Sequence, residues 1–264
     1  MASTKGIEQW GTLGNHDDGN AYLATGFFKN TNWDYSFIKG NIGFVCANTE
    51  THDIAKAEQL ITELESNPGI KWILVIMHKP IWIAEGGSVS SDTKMEFHEM
   101  FKKHPKVRIV FAGHNHFYAR MKPIDNILYC TIGHGGRNSS SGTATPATFS
   151  KINGAYRCSA TADGSITCAN YANADDGGGA VLDQWTMSAD GTLPTDGAGV
   201  NGRDTSQGDG NNEGEDTSAS ASYAMAMTAV AKAYGTSTHP DIAGYTTGPV
   251  SYRYRKRKLP RRLR

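Results

Sequence analysis

Apolar and polar positions alternate along the chain in blocks that change period. Ile54, Ala57, Ile61 and Leu64 recur at helical spacing, and Pro68-Gly69 ends that helix. Trp72 to Met77 is a continuous apolar run, the pattern of a strand covered on both faces. Phe97, Met100, Phe101 and His104 return to helical spacing, stopped by Pro105. Two further short strands are predicted, Val107 to Phe111 and Ile127 to Ile132, the second after Met121-Lys-Pro-Ile124. Strand, helix, strand at these intervals implies parallel pairing through right-handed crossovers, so the fold class is α/β.

This patterning occupies residues 1 to 190, read as one domain. Residues 191–222 are rich in Gly, Asp, Ser, Thr and Asn. From Asp196 to Ser222 six acids (Asp196, Asp204, Asp209, Glu213, Glu215, Asp216) face one base, Arg203. Such a segment buries too little apolar surface to offset its ordering entropy and reads as a disordered acidic linker. In residues 223–264, the alanine-rich stretch Tyr223 to Tyr234 favours a short helix, and eight Lys or Arg fall between Arg253 and Arg264.

Composition narrows the function classes. The 264 residues carry 26 basic and 26 acidic side chains, so net charge argues against a dedicated polyanion binder. The basic tail keeps a nucleic-acid or acidic partner open, against the simpler reading of a solvated terminus. No apolar run reaches the roughly 18 residues of a membrane span. The first ten residues have no signal-peptide core, and the compartment stays open. Cys46 and Cys130 lie in apolar runs and read as buried thiols. Cys158 and Cys168 flank Ala162-Asp163-Gly164, a hairpin turn signal; a cross-strand disulfide and two free thiols are both compatible with that spacing.

The histidines carry the chemistry. The run ending at Met77 is followed by His78, and the run ending at Phe111 leads through Ala112-Gly113 to His114-Asn115-His116. Both place imidazoles at the carboxyl end of a buried strand, the edge where open α/β sheets bind ligands. Gly14-Asn15-His16-Asp17 sits before a Gly-containing loop. Imidazole nitrogens and an amide oxygen are ligands for zinc, iron or manganese. His52, His98, His104 and His239 show no such placement and read as surface or core residues.

Taken in order, Gly14-Asn15-His16-Asp17, Met77-His78-Lys79-Pro80 and Gly113-His114-Asn115-His116-Phe117-Tyr118-Ala119-Arg120 resemble the calcineurin-like metallophosphoesterases. The Gly-His-x-His-x-Tyr-x-Arg form is most similar to purple acid phosphatases. Gly154-Ala155-Tyr156 and the stretch Gly179 to Met187 look like the strands that close the catalytic domain there. The resemblance spans residues 11–188. It implies a sandwich of mixed sheets flanked by helices, around two metal ions (Mn, Fe or Zn, divalent or trivalent). It further implies that Asn15, His78 and His114 bind one ion and His116 the other. His16 would contact the scissile phosphate and assist the leaving group, with Asp17 orienting its imidazole. The implied reaction is hydrolysis of a phosphomonoester or phosphodiester by a metal-activated water.

The sequence departs from the family where Asp-x-His and Gly-Asp would precede Gly14: the first thirteen residues contain no Asp, and no Asp-x-His occurs anywhere. The expectation is an amino-terminally truncated domain with an exposed sheet edge and apolar face, and a site of neutral ligands suited to one ion. Two alternatives accompany the enzyme: a non-catalytic half-domain completed by a partner chain, and a binding protein using Arg253 to Arg264. Substrate specificity is expected in the loops Ala84 to Asp92 and Asn138 to Phe149, and His134 at most supports the site from behind. Asn138-Ser139-Ser140 is a glycosylation acceptor pattern, relevant only to a secreted protein.

Overall fold

The computed structural model describes residues 10–17, 33–82, 84, 95–135, 149–150, 153–173 and 179–198. These all fall in one unit, Met1–Tyr234. Its strands are β1 (Tyr35–Lys39), β2 (Ile42–Ala47), β3 (Trp72–Met77), β4 (Val107–Ala112), β5 (Tyr118–Arg120), β6 (Leu128–Ile132) and β7 (Phe149–Ser150), followed by β8 (Gly154–Ala160), β9 (Ile166–Ala172) and β10 (Val181–Met187). Helix α1 (Ile54–Glu65) lies between β2 and β3, and helix α2 (Met95–Phe101) between β3 and β4.

The first seven strands form one sheet in the order β1-β2-β3-β4-β6-β5-β7; the last three form a second, β10-β9-β8. Within the larger sheet β2, β3, β4 and β6 run parallel, as the strand-helix-strand pattern requires, while β1, β5 and β7 pair antiparallel. The continuous apolar runs are explained by burial on both faces. Val45, Val75, Met77, Val110 and Tyr129 pack toward α1 and α2. Their neighbours Phe44, Cys46, Leu74, Ile76, Ile109, Phe111 and Cys130 pack against Ile166, Cys168, Trp185 and Met187 of the small sheet. The period-2 alternation therefore separates two cores. The expected apolar face is not seen: among the described residues the exposed large hydrophobics are Ile38 and Val181.

Helix α1 starts where the Asp53 carboxylate accepts from the Lys56 amide at 2.9 Å, satisfying one of the first turn's free donors. Helix α2 is shorter than its apolar spacing predicts. It stops at Phe101, because the Lys103 and His104 amides bond to Met100 and Phe101 three residues back, tightening the chain ahead of Pro105. His104 instead meets Glu65 at 2.8 Å. His98 is buried, bonded to the Tyr129 hydroxyl at 2.7 Å and to Asp125 at 3.0 Å, and His52 pairs with Glu96.

Two features cross-link strands, the first within the small sheet and the second between the two sheets. Cys158 and Cys168 stand directly opposite in β8 and β9 and form a disulfide, settling the pairing that spacing leaves open. Cys46 and Cys130 are buried free thiols, as expected. The second feature is the Arg120 guanidinium, which binds both oxygens of Asp183 in β10, at 2.8 and 3.0 Å, while Tyr118 donates to the same carboxylate at 2.6 Å. Arg120 also reaches the Asp196 carboxylate at 3.0 Å. The expected boundary at residue 190 is therefore too early: Leu193 and Ala198 are buried, and Ala198 bridges Met121. The remaining linker, the helix-prone stretch, His239 and the basic tail lie outside the described residues, as do most of the two predicted specificity loops.

Candidate metal centre

Three loops meet at the carboxyl ends of β3 and β4. His78 follows β3 directly. His114 follows Gly113 and takes a left-handed backbone, φ 63°, uncommon for a residue with a side chain. Two successive tight turns hold it there: the Asn115 amide bonds to the Gly113 carbonyl at 2.7 Å and the Phe117 amide to the Asn115 carbonyl at 2.8 Å. The Gly113 amide donates to the His78 carbonyl at 2.8 Å, coupling the second loop to the first. Gly133, at the end of β6, backs the turn; a Cβ there would lie 2.2 Å from the Asn115 oxygen.

The third loop comes from outside the sheet. Residues 10–13 are extended without belonging to a strand. They are followed by a turn in which the Gly14 amide donates to the Asp17 carboxylate at 2.8 Å and the Asp17 amide to the Gly14 carbonyl at 3.0 Å. Gly14 lies flat against the His78 imidazole: a Cβ would sit 2.5 to 2.8 Å from three of its ring atoms. That contact sets Asn15 beside the histidines.

The result is a triangle of donor atoms. Asn15 Oδ1 is 2.9 Å from His78 Nε2 and 3.2 Å from His114 Nδ1, and the two nitrogens are 3.2 Å apart. Protons alone do not satisfy it. The amide oxygen carries none, and each facing nitrogen carries at most one, so at least one edge sets like against like. A cation resolves the conflict. An ion about 2.1 Å from each of three donors at right angles places those donors about 3.0 Å apart, close to the spacing found. Asn15 and His16 are exposed, so the centre opens to solvent.

The sequence-predicted residues thus divide. Asn15, His78 and His114 are brought together. His16 and His116 lie on the same two loops, one residue beyond Asn15 and two beyond His114; Asp17 closes the turn that presents Asn15. Among the described residues no three His, Cys, Asp or Glu side chains converge as a metal site. The donors described fit one ion, and all three are neutral.

His134 sits behind the centre, past the end of β6. It is buried, bonded to Asn170 at 2.7 Å, and burial pushes its pKa down, holding it neutral. Beside the His78 loop, Thr49 accepts from the Lys79 amide at 3.2 Å and Lys79 pairs with Glu50 at 3.0 Å. Thr49 carries no local sequence signal; only the parallel pairing of β2 with β3 puts its loop here.

Residues 4–118, which include the three loops that carry Asn15, His78 and His114, match the family model for calcineurin-like phosphoesterase. The match supports the metallophosphoesterase superfamily for this segment. A stretch of 73 residues is 37% identical to purple acid phosphatase 21 of Arabidopsis thaliana, covering 25% of this chain and 17% of the length of that protein. Among solved structures, the chain is similar to GAP50, the anchor in the inner membrane complex of Plasmodium. The TM-score there is 0.42, with 16% identity over 74% of this chain and 66% of that one.

Proposed function

We propose that the protein is a metal-dependent phosphoesterase, hydrolysing a phosphomonoester or phosphodiester with water. The triangle of Asn15, His78 and His114 donors, inside the family-matched segment, is the observation that supports this most directly. An ion bound there supplies a Lewis acid for a phosphoryl oxygen and lowers the pKa of a coordinated water. The remaining work falls to the chain. Asn15, His78 and His114 hold the ion, with manganese, iron or zinc as the candidates, and His116 stands ready as a ligand for a second. His16, solvent-exposed beside Asn15, holds the proton that passes to the departing oxygen. Asp17 fixes the loop on which His16 is carried.

Charge favours a second reading beside it. Two divalent ions facing only neutral donors repel strongly, so a dinuclear centre requires carboxylates beyond the described cluster. A partner chain that supplies them would make this protein one half of a composite site. One experiment covers both: hydrolysis of p-nitrophenyl phosphate and its bis-ester with manganese or zinc, with bound metal counted. The expected result is turnover by the wild type. His16→Ala should lose about 10²-fold or more while keeping its metal, and His114→Ala should lose both. A metal-loaded chain without turnover would refute self-sufficient catalysis.

A further inference from the structure

We propose that Tyr35 is a positioning residue for the ion-binding triad: its hydroxyl anchors the segment that delivers Asn15 and so sets the oxygen vertex of the triangle. This rests on reading the triad as an ion site.

The three vertices are not supported alike. His78 and His114 leave from β3 and β4, paired to neighbours on both sides. Asn15 leaves from residues 10–14, which belong to no strand. Tyr35, at the start of β1 and buried, supplies a substitute for the missing ladder. Its hydroxyl donates to the Gly11 carbonyl at 2.7 Å and accepts from the Gly11 amide at 2.9 Å. One phenol thereby satisfies both backbone groups of one residue, as an antiparallel neighbour would. Burial raises the Tyr35 pKa, so the hydroxyl stays protonated and keeps its donor role. Two weaker contacts flank it: Trp10 stacks on Phe37 at 4.3 Å, and the Thr12 hydroxyl donates to the Ala47 carbonyl at 3.4 Å.

From Gly11 the chain has only three residues before Asn15. A shift at Gly11 moves Gly14 across the His78 ring and Asn15 Oδ1 out of the triangle. Tyr35 itself is no ligand, since its hydroxyl is committed to Gly11. Groups that orient metal ligands commonly change affinity 10- to 100-fold when removed.

The test uses Co(II), whose visible absorption reports its ligands, titrated into the full-length chain. Wild type should bind, and Asn15→Ala and His78→Ala should bind more weakly. Tyr35→Phe keeps the ring and its packing. It should weaken binding by about tenfold or more and move the spectrum toward that of Asn15→Ala. Tyr156→Phe, which removes the hydroxyl bonded to Trp185 between the sheets at 2.6 Å, should keep the wild-type spectrum. Wild-type affinity and spectrum in Tyr35→Phe, beside weakened Asn15→Ala, overturns the proposal and leaves the ion site standing. Co(II) binding that is missing in wild type, or untouched by His78→Ala, overturns the ion site and the part of Tyr35 with it. If Tyr35→Phe does not fold, Thr12→Val loosens the same segment: weaker binding supports the anchor and unchanged binding refutes it.

Discussion

At the scale of single residues, glycine and histidine carry the informative contacts. Gly14 is glycine because the His78 ring occupies the space a Cβ would need. Gly14→Ala should tilt that ring and weaken Zn(II) or Co(II) binding about tenfold or more, with the metal-free melting temperature nearly unchanged; calorimetric titration and thermal melts separate the two. His134 makes a pH prediction. Its folded pKa lies below the unfolded value of about 6.5, so the unfolded chain takes up the proton first. Its contribution is complete above about pH 6.5 and declines as pH falls toward the depressed folded value. Melting temperatures measured between pH 7 and 5 should fall less steeply in His134→Gln than in wild type. Parallel slopes would show that burial does not hold His134 neutral.

Elements are joined by polar contacts that hydrophobic patterning does not reveal. Tyr118 and Arg120 belong to the same motif as His114 and His116, yet they point between the sheets. Arg120 is 1% exposed and grips Asp183 of β10 with two hydrogen bonds. Removing Asp183 leaves the buried guanidinium with only the exposed Asp196 carboxylate: Asp183→Leu should cost about 3 kcal/mol in urea unfolding, the lower end for a broken buried pair. Arg120→Met combined with Asp183→Leu should be distinctly less damaging than either alone predicts. Simple additivity in that cycle would mean the pair is not coupled. The positions of α1, β3, β4 and β6 were legible because their apolar residues repeat at helical or strand spacing. The end of α2 was not, since the local tightening at Lys103 and His104 outweighs the continuing apolar period. Residues 191–198 read as linker because their anchors, Arg120 and Met121, are some 75 residues away in sequence.

At the largest scale, among the described residues, a seven-stranded sheet is closed by helices on one face and a three-stranded sheet on the other. The Cys158–Cys168 bridge closes a short loop within the smaller sheet, so its effect is bounded. Loop-closure entropy for a separation of 10 residues gives about 2–3 kcal/mol. Urea unfolding with and without reductant should differ by that amount; coincident curves would mean that the β8–β9 ladder alone orders the hairpin. Metal counting belongs to this scale as well. The described donors predict one divalent ion per chain, and two ions bound without a partner would require ligands outside them.

The sequence by itself determined the α/β class, the parallel core strands and the three loops that carry the candidate donors. These rest on local information: apolar period, strand ends, and donor residues beside glycine. It also carried the family resemblance in three ordered motifs. Only the tertiary structure decided which donors meet. Asn15, His78 and His114 are separated by up to 99 residues, and their convergence depends on parallel pairing, a left-handed backbone at His114 and the anchoring of Gly11 by Tyr35. The sequence likewise left Arg120 and Asp183 unpaired on the page, because a buried ion pair is a relation between two distant strands and has no local signature.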